Sequence, residues 1–239
     1  MTSGISREEA RATLLVEGRC DVDFFSRLCR LWQINISIRP PNECGNVLGG
    51  GVSKIPSILP ELLDNLADEN QALQKLGIVA DADHTGISGG FSERWSQLTR
   101  PLEEAGYVIT SPPTQAYEGS VFKNDDGLPD VGLWLMPNHK DDGMLEDLVK
   151  QTVCEGQQHD LLNKAIKCLN ELPVHLFEPE GRHHRRTKAT IYTWLAWQEK
   201  PGQDLRVLLD FEKPEKNLID IYSSEISAFK NWLNRVFTM

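Results

Sequence analysis

The 239-residue sequence contains no apolar run approaching the roughly 20 residues that a membrane-spanning helix needs. No membrane partner is therefore expected. Cysteine is scarce: Cys20, Cys29, Cys44, Cys154 and Cys168 are odd in number and form no CxxC pair. That usage argues against a disulfide framework and a structural zinc site, and makes a reducing cytoplasm the expected compartment. Met1-Thr2-Ser3-Gly4 supplies neither a basic n-region nor an apolar h-region, so no secretory signal is expected. Positive charge is also short, with 25 Lys and Arg against 35 Asp and Glu and a net charge of −10. Such a chain repels nucleic acid on average, because cationic side chains supply most non-specific affinity for phosphate. Two arrangements escape this exclusion: carboxylates gathered around a divalent cation, which reverses the local sign, or basic residues clustered elsewhere. The sequence carries signs of both.

What is present fits a folded α/β chain. Hydrophobic residues make up 40% and charged residues 25%, as in globular domains. Thr13-Leu14-Leu15-Val16 is an unbroken apolar run that stops at Glu17-Gly18, the mark of a strand buried on both faces. Val22, Phe25, Leu28, Cys29 and Trp32 follow at helical spacing, and Ile34, Ile36 and Ile38 then alternate as a second strand. A glycine-rich stretch over 42–52 precedes a helix over about 53–67, in which Pro56 suits the first turn and Pro60 suggests a kink. Leu76 to Ala80 forms a third strand, a helix covers about 93–105, and Tyr107-Val108-Ile109 completes a βαβαβαβ alternation. This predicts a mostly parallel sheet flanked by helices. Val121-Phe122 and Val131 to Met136, joined by the turn at 124–127, read as an inserted β-hairpin. Helices near 144–154, 158–171, 186–198 and 223–237 form a C-terminal helical elaboration packed on the sheet. The expected division is residues 1–145 and 146–239.

Glu17 and Asp81 each directly follow an apolar strand, and Asp83 lies two residues further on. Functional groups in open α/β sheets gather at the carboxyl ends of strands. If the first and third strands are neighbours, three carboxylates converge, and a Mg²⁺ or Mn²⁺ ion relieves their repulsion while leaving positions open for a phosphate. Against this stands the commonness of aspartate at strand ends and helix caps.

The run Leu14-Leu15-Val16-Glu17-Gly18-Arg19-Cys20-Asp21-Val22-Asp23-Phe24-Phe25 resembles the opening of TOPRIM domains in OLD-like nucleases, and Gly77 to Asp83 resembles their DxD strand. Val131 to Asn138, Gly143 to Leu148, and the tail from Lys188-Ala189 through Trp194-Leu195-Ala196 to Pro201-Gly202 resemble the TOPRIM-like family DUF3226. The resemblance implies a TOPRIM-like fold. It implies a magnesium-dependent nuclease or other phosphodiester-processing role on DNA or RNA, with Glu17, Asp81 and Asp83 as catalytic and metal-binding residues. It further implies an ABC/OLD-type ATPase partner and a place in phage defence. A catalytically silent module that binds a protein or nucleotide is the alternative, and a homo-oligomer is left open.

Other features of the sequence admit both a functional and a plainer reading. Glu146-Asp147 after Gly143 offers a second metal position, joined by Asn138 and His139, or simply favourable acids at a helix start. Arg182-His183-His184-Arg185-Arg186-Thr187-Lys188 is the most basic stretch. Its Arg182, Arg185, Arg186 and Lys188 are candidate phosphate contacts, with Lys188 also a candidate transition-state cation, or they line a solvated helix start. Gly49-Gly50-Gly51 before a helix suggests an anion site or a plain loop, and lacks the Walker pattern. Trp194 and Trp197 should share a buried helix face. Asp81-Ala82-Asp83-His84-Thr85 also matches the DxDxT of haloacid-dehalogenase-like phosphatases, with Asp81 as nucleophile, although that motif normally ends a first strand.

Overall fold

The computed structural model describes residues 11–45, 47–68, 73–85, 89–178 and 184–238. Five strands form one sheet: β1 (Ala12–Leu15), β2 (Ser37–Arg39), β3 (Lys75–Asp81), β4 (Ser120–Phe122) and β5 (Val131–Met136). Their order is β2-β1-β3-β5-β4, with all neighbours parallel except the antiparallel β4–β5 pair. Eight α-helices are described: α1 (Arg19–Leu31), α2 (Pro41–Cys44), α3 (Ile55–Ala67), α4 (Phe91–Glu104), α5 (Leu145–Thr152), α6 (Gln157–Asn170), α7 (His184–Leu195) and α8 (Ser224–Phe237). The α/β class and the mostly parallel sheet expected from the sequence are found.

The period-2 geometry of strands divides the core in two. Leu15, Ile78, Ala80, Leu133 and Leu135 face α3 and α4, with Leu59, Leu62, Trp95 and Leu98 packed against them. Leu14, Val16, Val79, Trp134 and Met136 face the other way, into a cluster built from α1, α5, α6, α7 and α8. Residues from both sides of position 145 share that second core, so the C-terminal helices form one of the sheet's two covering layers.

Three expectations need correction. Tyr107-Val108-Ile109 is no strand; Tyr107 makes only an isolated bridge to Asn124 and buries its ring while donating its hydroxyl to Pro129 O at 2.9 Å. Val131–Met136, expected in an inserted hairpin, instead takes the central place beside β3. All six of its residues are buried, which only an interior strand allows. The antiparallel hairpin exists, but its second strand belongs to the middle of the sheet. Trp194 is fully buried as expected, whereas Trp197 lies beyond the end of α7 and is 40% exposed.

Candidate acidic active site

With β1 and β3 adjacent, their carboxyl ends place Glu17 against Asp81. The backbone N–H of Asp81 donates to Glu17 Oε1 at 2.5 Å, and Asp81 Oδ1 accepts the N–H of Leu145 at 2.9 Å. Each carboxylate thus uses one oxygen in a backbone hydrogen bond. Its other oxygen accepts none from the described residues. Both line a cleft of about 200 Å³, together with Gly18, Cys20, Asp21, Gly51, Glu146, Lys188, Tyr192 and Leu205.

Several chain segments build this cleft. Gly18 ends the turn after β1, and Asp21 Oδ2 accepts its N–H at 2.9 Å, which fixes the start of α1. Glycine is needed in the loop before α3, because Gly51 N donates to Glu17 O at 2.7 Å and a Cβ on Gly50 would stand 2.7 Å from that same oxygen. The loop therefore forms one wall of the cleft. From α5, Asp147 serves as the cap, accepting Met144 N at 2.9 Å, while Glu146 is 4% exposed and faces the cleft. Lys188 on α7 brings its Nζ to 3.4 Å from Glu146 Oε1.

Four carboxylates (Glu17, Asp21, Asp81 and Glu146) thus share this volume with one ammonium, Lys188. Burial raises the Glu17 carboxyl to about 8, with Asp21 and Asp83 adding to the rise. Burial, then Glu17, Asp21 and Glu146, push Asp81 well above its usual range. Asp21 is raised to about 6 by burial, with Glu146 adding to it. Glu146 is raised by burial in spite of Lys188. Burial works to lower Lys188, but Glu146, Asp81 and Asp21 outweigh it and leave the ammonium strengthened. The arrangement disfavours the charged form of these carboxyls, and a bound hard cation would restore it.

Asp83 goes elsewhere. It adopts φ 60° and bridges Gly143 in both directions, N to O at 2.8 Å and O from N at 2.7 Å. Its Oδ2 accepts Arg94 Nη2 at 2.8 Å, and Arg94 Nε also donates to Asp81 O at 3.2 Å. Thr85 turns to a third partner, donating Oγ1 to Asp142 Oδ2 at 2.5 Å. The Asp81-Ala82-Asp83-His84-Thr85 run therefore spreads its polar side chains over Leu145, Arg94 and Asp142. Among the described residues, no three His, Cys, Asp or Glu side chains are already gathered at metal-ligand spacing.

The remaining expected residues separate clearly. Arg182 and His183 lie outside the described residues. Arg185 is exposed on α7. Arg186 is committed to a bidentate pair with Glu178, at 2.7 Å through Nε and 2.6 Å through Nη2, and donates to Asn170 as well. His139 is fully buried, accepts Leu135 N at Nδ1 (2.9 Å) and contacts Ser120 Oγ at 2.8 Å, so it anchors the turn after β5. Burial lowers it to about 3, which keeps it neutral. Asn138 likewise closes this turn through Asp141 and Lys140.

The sequence marks Asp21 as part of the signal around Glu17 without assigning it a role, and gives Tyr192 and Arg94 no place at the site. Asp21 lies four residues beyond Glu17, and Tyr192 lies four beyond Lys188 on α7, so helical spacing signals the second pairing. Arg94 gave no signal, since one arginine on an amphipathic helix reads as surface.

Over residues 11–238 the sequence matches the family described as "Protein of unknown function (DUF3226)". No curated protein and no solved structure matches the chain.

Proposed function

The chain belongs to the DUF3226 family, and on that premise we propose that its acidic cleft is a TOPRIM-like, divalent-cation-dependent site that processes nucleic-acid phosphodiesters. The observation carrying this reading is the meeting of Glu17 and Asp81 at the ends of adjacent parallel strands, where both line one acidic cleft and each engages one oxygen in a backbone hydrogen bond. The donor set fits Mg²⁺ or Mn²⁺, which prefer carboxylate oxygen and keep several waters. Glu17 and Asp81 would hold the ion directly, with Asp21 and Glu146 reached directly or through water. Once bound, the ion would polarise a phosphoryl oxygen.

The chain's own groups supply the rest. Lys188 stands at the mouth of the cleft with its side chain half exposed, placed to neutralise a phosphate beside the carboxylates. Arg185 is exposed one turn earlier on α7 and would be a further phosphate contact. In the ion-free cleft Glu17, its carboxyl raised by burial to about 8, is the group that changes protonation near neutral pH. An ATPase partner, as the TOPRIM resemblance implies, would supply the motor that these residues do not provide.

The test is cleavage of single- and double-stranded DNA and RNA with Mg²⁺ or Mn²⁺, alongside Mn²⁺ binding by calorimetry. Wild type should bind the ion and cleave, and Asp81→Ala should lose both. Absence of ion binding and of cleavage, with and without an ATPase partner, would leave the second reading, a TOPRIM-fold binding module. That no three His, Cys, Asp or Glu side chains among the described residues stand at metal-ligand spacing supports that second reading. The dispersal of Asp81, Asp83 and Thr85 gives the phosphatase reading no support.

A further inference from the structure

Three features set Asp83 apart from the other acidic groups. First, its backbone is pinned by the paired hydrogen bonds with Gly143, which fixes the position of its Cα. Second, its carboxylate is already neutralised by Arg94, whose side chain is 3% exposed. Third, that guanidinium is fixed from several directions: besides Nη2 on Asp83, Nη1 donates to Gln97 Oε1 at 2.7 Å and Nε donates to Asp81 O at 3.2 Å. A planar guanidinium with all edges engaged is a permanent, non-exchangeable cation. Asp83 does not line the cleft, whereas Glu17, Asp21, Asp81 and Glu146 do.

We propose that Arg94 stands where a second cation would otherwise be needed, so that the cleft takes one divalent ion per chain and Asp83 lies outside its coordination sphere. This rests on reading the cleft as a cation site. Arg94 is then a positioning residue. By holding Asp83 and the carbonyl of Asp81 together, it presents the Asp81 carboxylate toward Glu17 and cancels the one acidic charge that the cleft does not use. The geometry accounts for the second aspartate of the DxD spacing lying outside a cleft that Glu17, Asp21, Asp81 and Glu146 line.

The experiment is Mn²⁺ titration of the full chain, read by the electron paramagnetic resonance signal of free Mn²⁺ and by calorimetry, with no activity needed. Wild type should take up one ion. Asp83→Asn, which can still accept from Arg94, should also take up one ion, with Kd changed less than tenfold. Asp81→Asn should weaken binding tenfold or more. Arg94→Lys should keep one ion, and Arg94→Gln should admit a second by freeing Asp83. If Arg94→Gln fails to fold, Asp83→Asn decides the matter alone. Two ions on wild type, or a tenfold or greater loss of affinity in Asp83→Asn, would overturn the inference while leaving the proposed function standing. No ion on wild type would instead remove the proposed function itself.

Discussion

Glu17 Oε1 accepts the backbone N–H of Asp81 at 2.5 Å, which locks the ends of β1 and β3 into one acidic surface. The cost of this arrangement is electrostatic and therefore depends on pH. Glu17 rises from 4.5 to about 8 and Asp21 from 3.8 to about 6, both chiefly through burial, and Asp81 rises too. A carboxyl whose folded pKa lies above its unfolded one stabilises the fold most when both states are protonated. That contribution fades as pH climbs from the unfolded value through the folded one. Metal-free protein should therefore lose stability from about pH 4 to about pH 8, with the share of Asp21 spent by about pH 6 and that of Glu17 continuing to about pH 8. Each pKa unit is worth roughly 1.4 kcal/mol, and 1 kcal/mol moves the Tm of a domain this size by about 2–4 °C. A fall of roughly 5 °C or more is expected by calorimetry in chelator, and Mn²⁺ should raise Tm more at pH 8.5 than at pH 5.5. A flat Tm across this window would mean that the carboxylates are already compensated.

Lys188 is the only cation among the cleft-lining residues, and it pairs with a Glu146 that is almost fully buried. Replacing it with methionine keeps the side-chain length and removes the charge. The remaining carboxylates then hold a cation more strongly, so Mn²⁺ affinity should rise a few-fold. Nucleic-acid cleavage should instead fall by at least tenfold, because the phosphate loses its neutralising partner. Lys188→Arg should restore most of the cleavage. Parallel losses of Mn²⁺ binding and cleavage in Lys188→Met would show that the lysine only supports the fold.

Gly77 on β3 and Gly132 on β5 are register partners, and together they leave a hollow in the sheet face that α8 fills. A Cβ on Gly132 would stand 2.4 Å from Val236 Cγ2, and one on Gly77 would stand 2.9 Å from the Phe237 ring. Overpacking of this kind costs about 1–3 kcal/mol. Gly132→Ala should lower Tm by roughly 2–10 °C. Mn²⁺ stoichiometry should not change, since neither glycine lines the cleft. An unchanged Tm would mean that α8 can shift off the sheet.

The same glycines show what could and could not be read along the chain. Strands β1 and β3 were legible because runs such as Leu14-Leu15-Val16 and Leu76 to Ala80 are apolar on both faces, and their ends located Glu17 and Asp81. Strand β5 was recognised as a strand but misplaced. Its hydrophobicity equals that of β3, yet sequence proximity tied it to β4, while Tyr107-Val108-Ile109 offered a nearer fourth strand. Pairing across long separations has no local signature. The fate of Asp83 was hidden for a related reason. DxD spacing sets only backbone distance, whereas the positive φ and the arginine arriving from α4 turn the second carboxylate away.

Two neighbouring arginines on α7 looked equivalent in the basic run but differ in the fold. Arg186 is clamped by both oxygens of Glu178, whose side chain is 6% exposed, and its guanidinium lies 5.7 Å from the Phe177 ring centre. Arg185 is exposed. Truncating Arg186 should therefore act on stability: Arg186→Ala should lower Tm by a few degrees, since a bidentate pair on a largely buried carboxylate is stronger than an ordinary surface bridge. Its effect on nucleic-acid affinity, measured by fluorescence anisotropy, should stay within about twofold. Arg185→Ala should do the opposite, leaving Tm unchanged while weakening binding and reducing the slope of log affinity against log salt by about one contact. If Arg186→Ala weakened binding more than Arg185→Ala at equal stability, the Glu178 clamp would have to open when nucleic acid arrives, and the α6–α7 connection would belong to the binding surface.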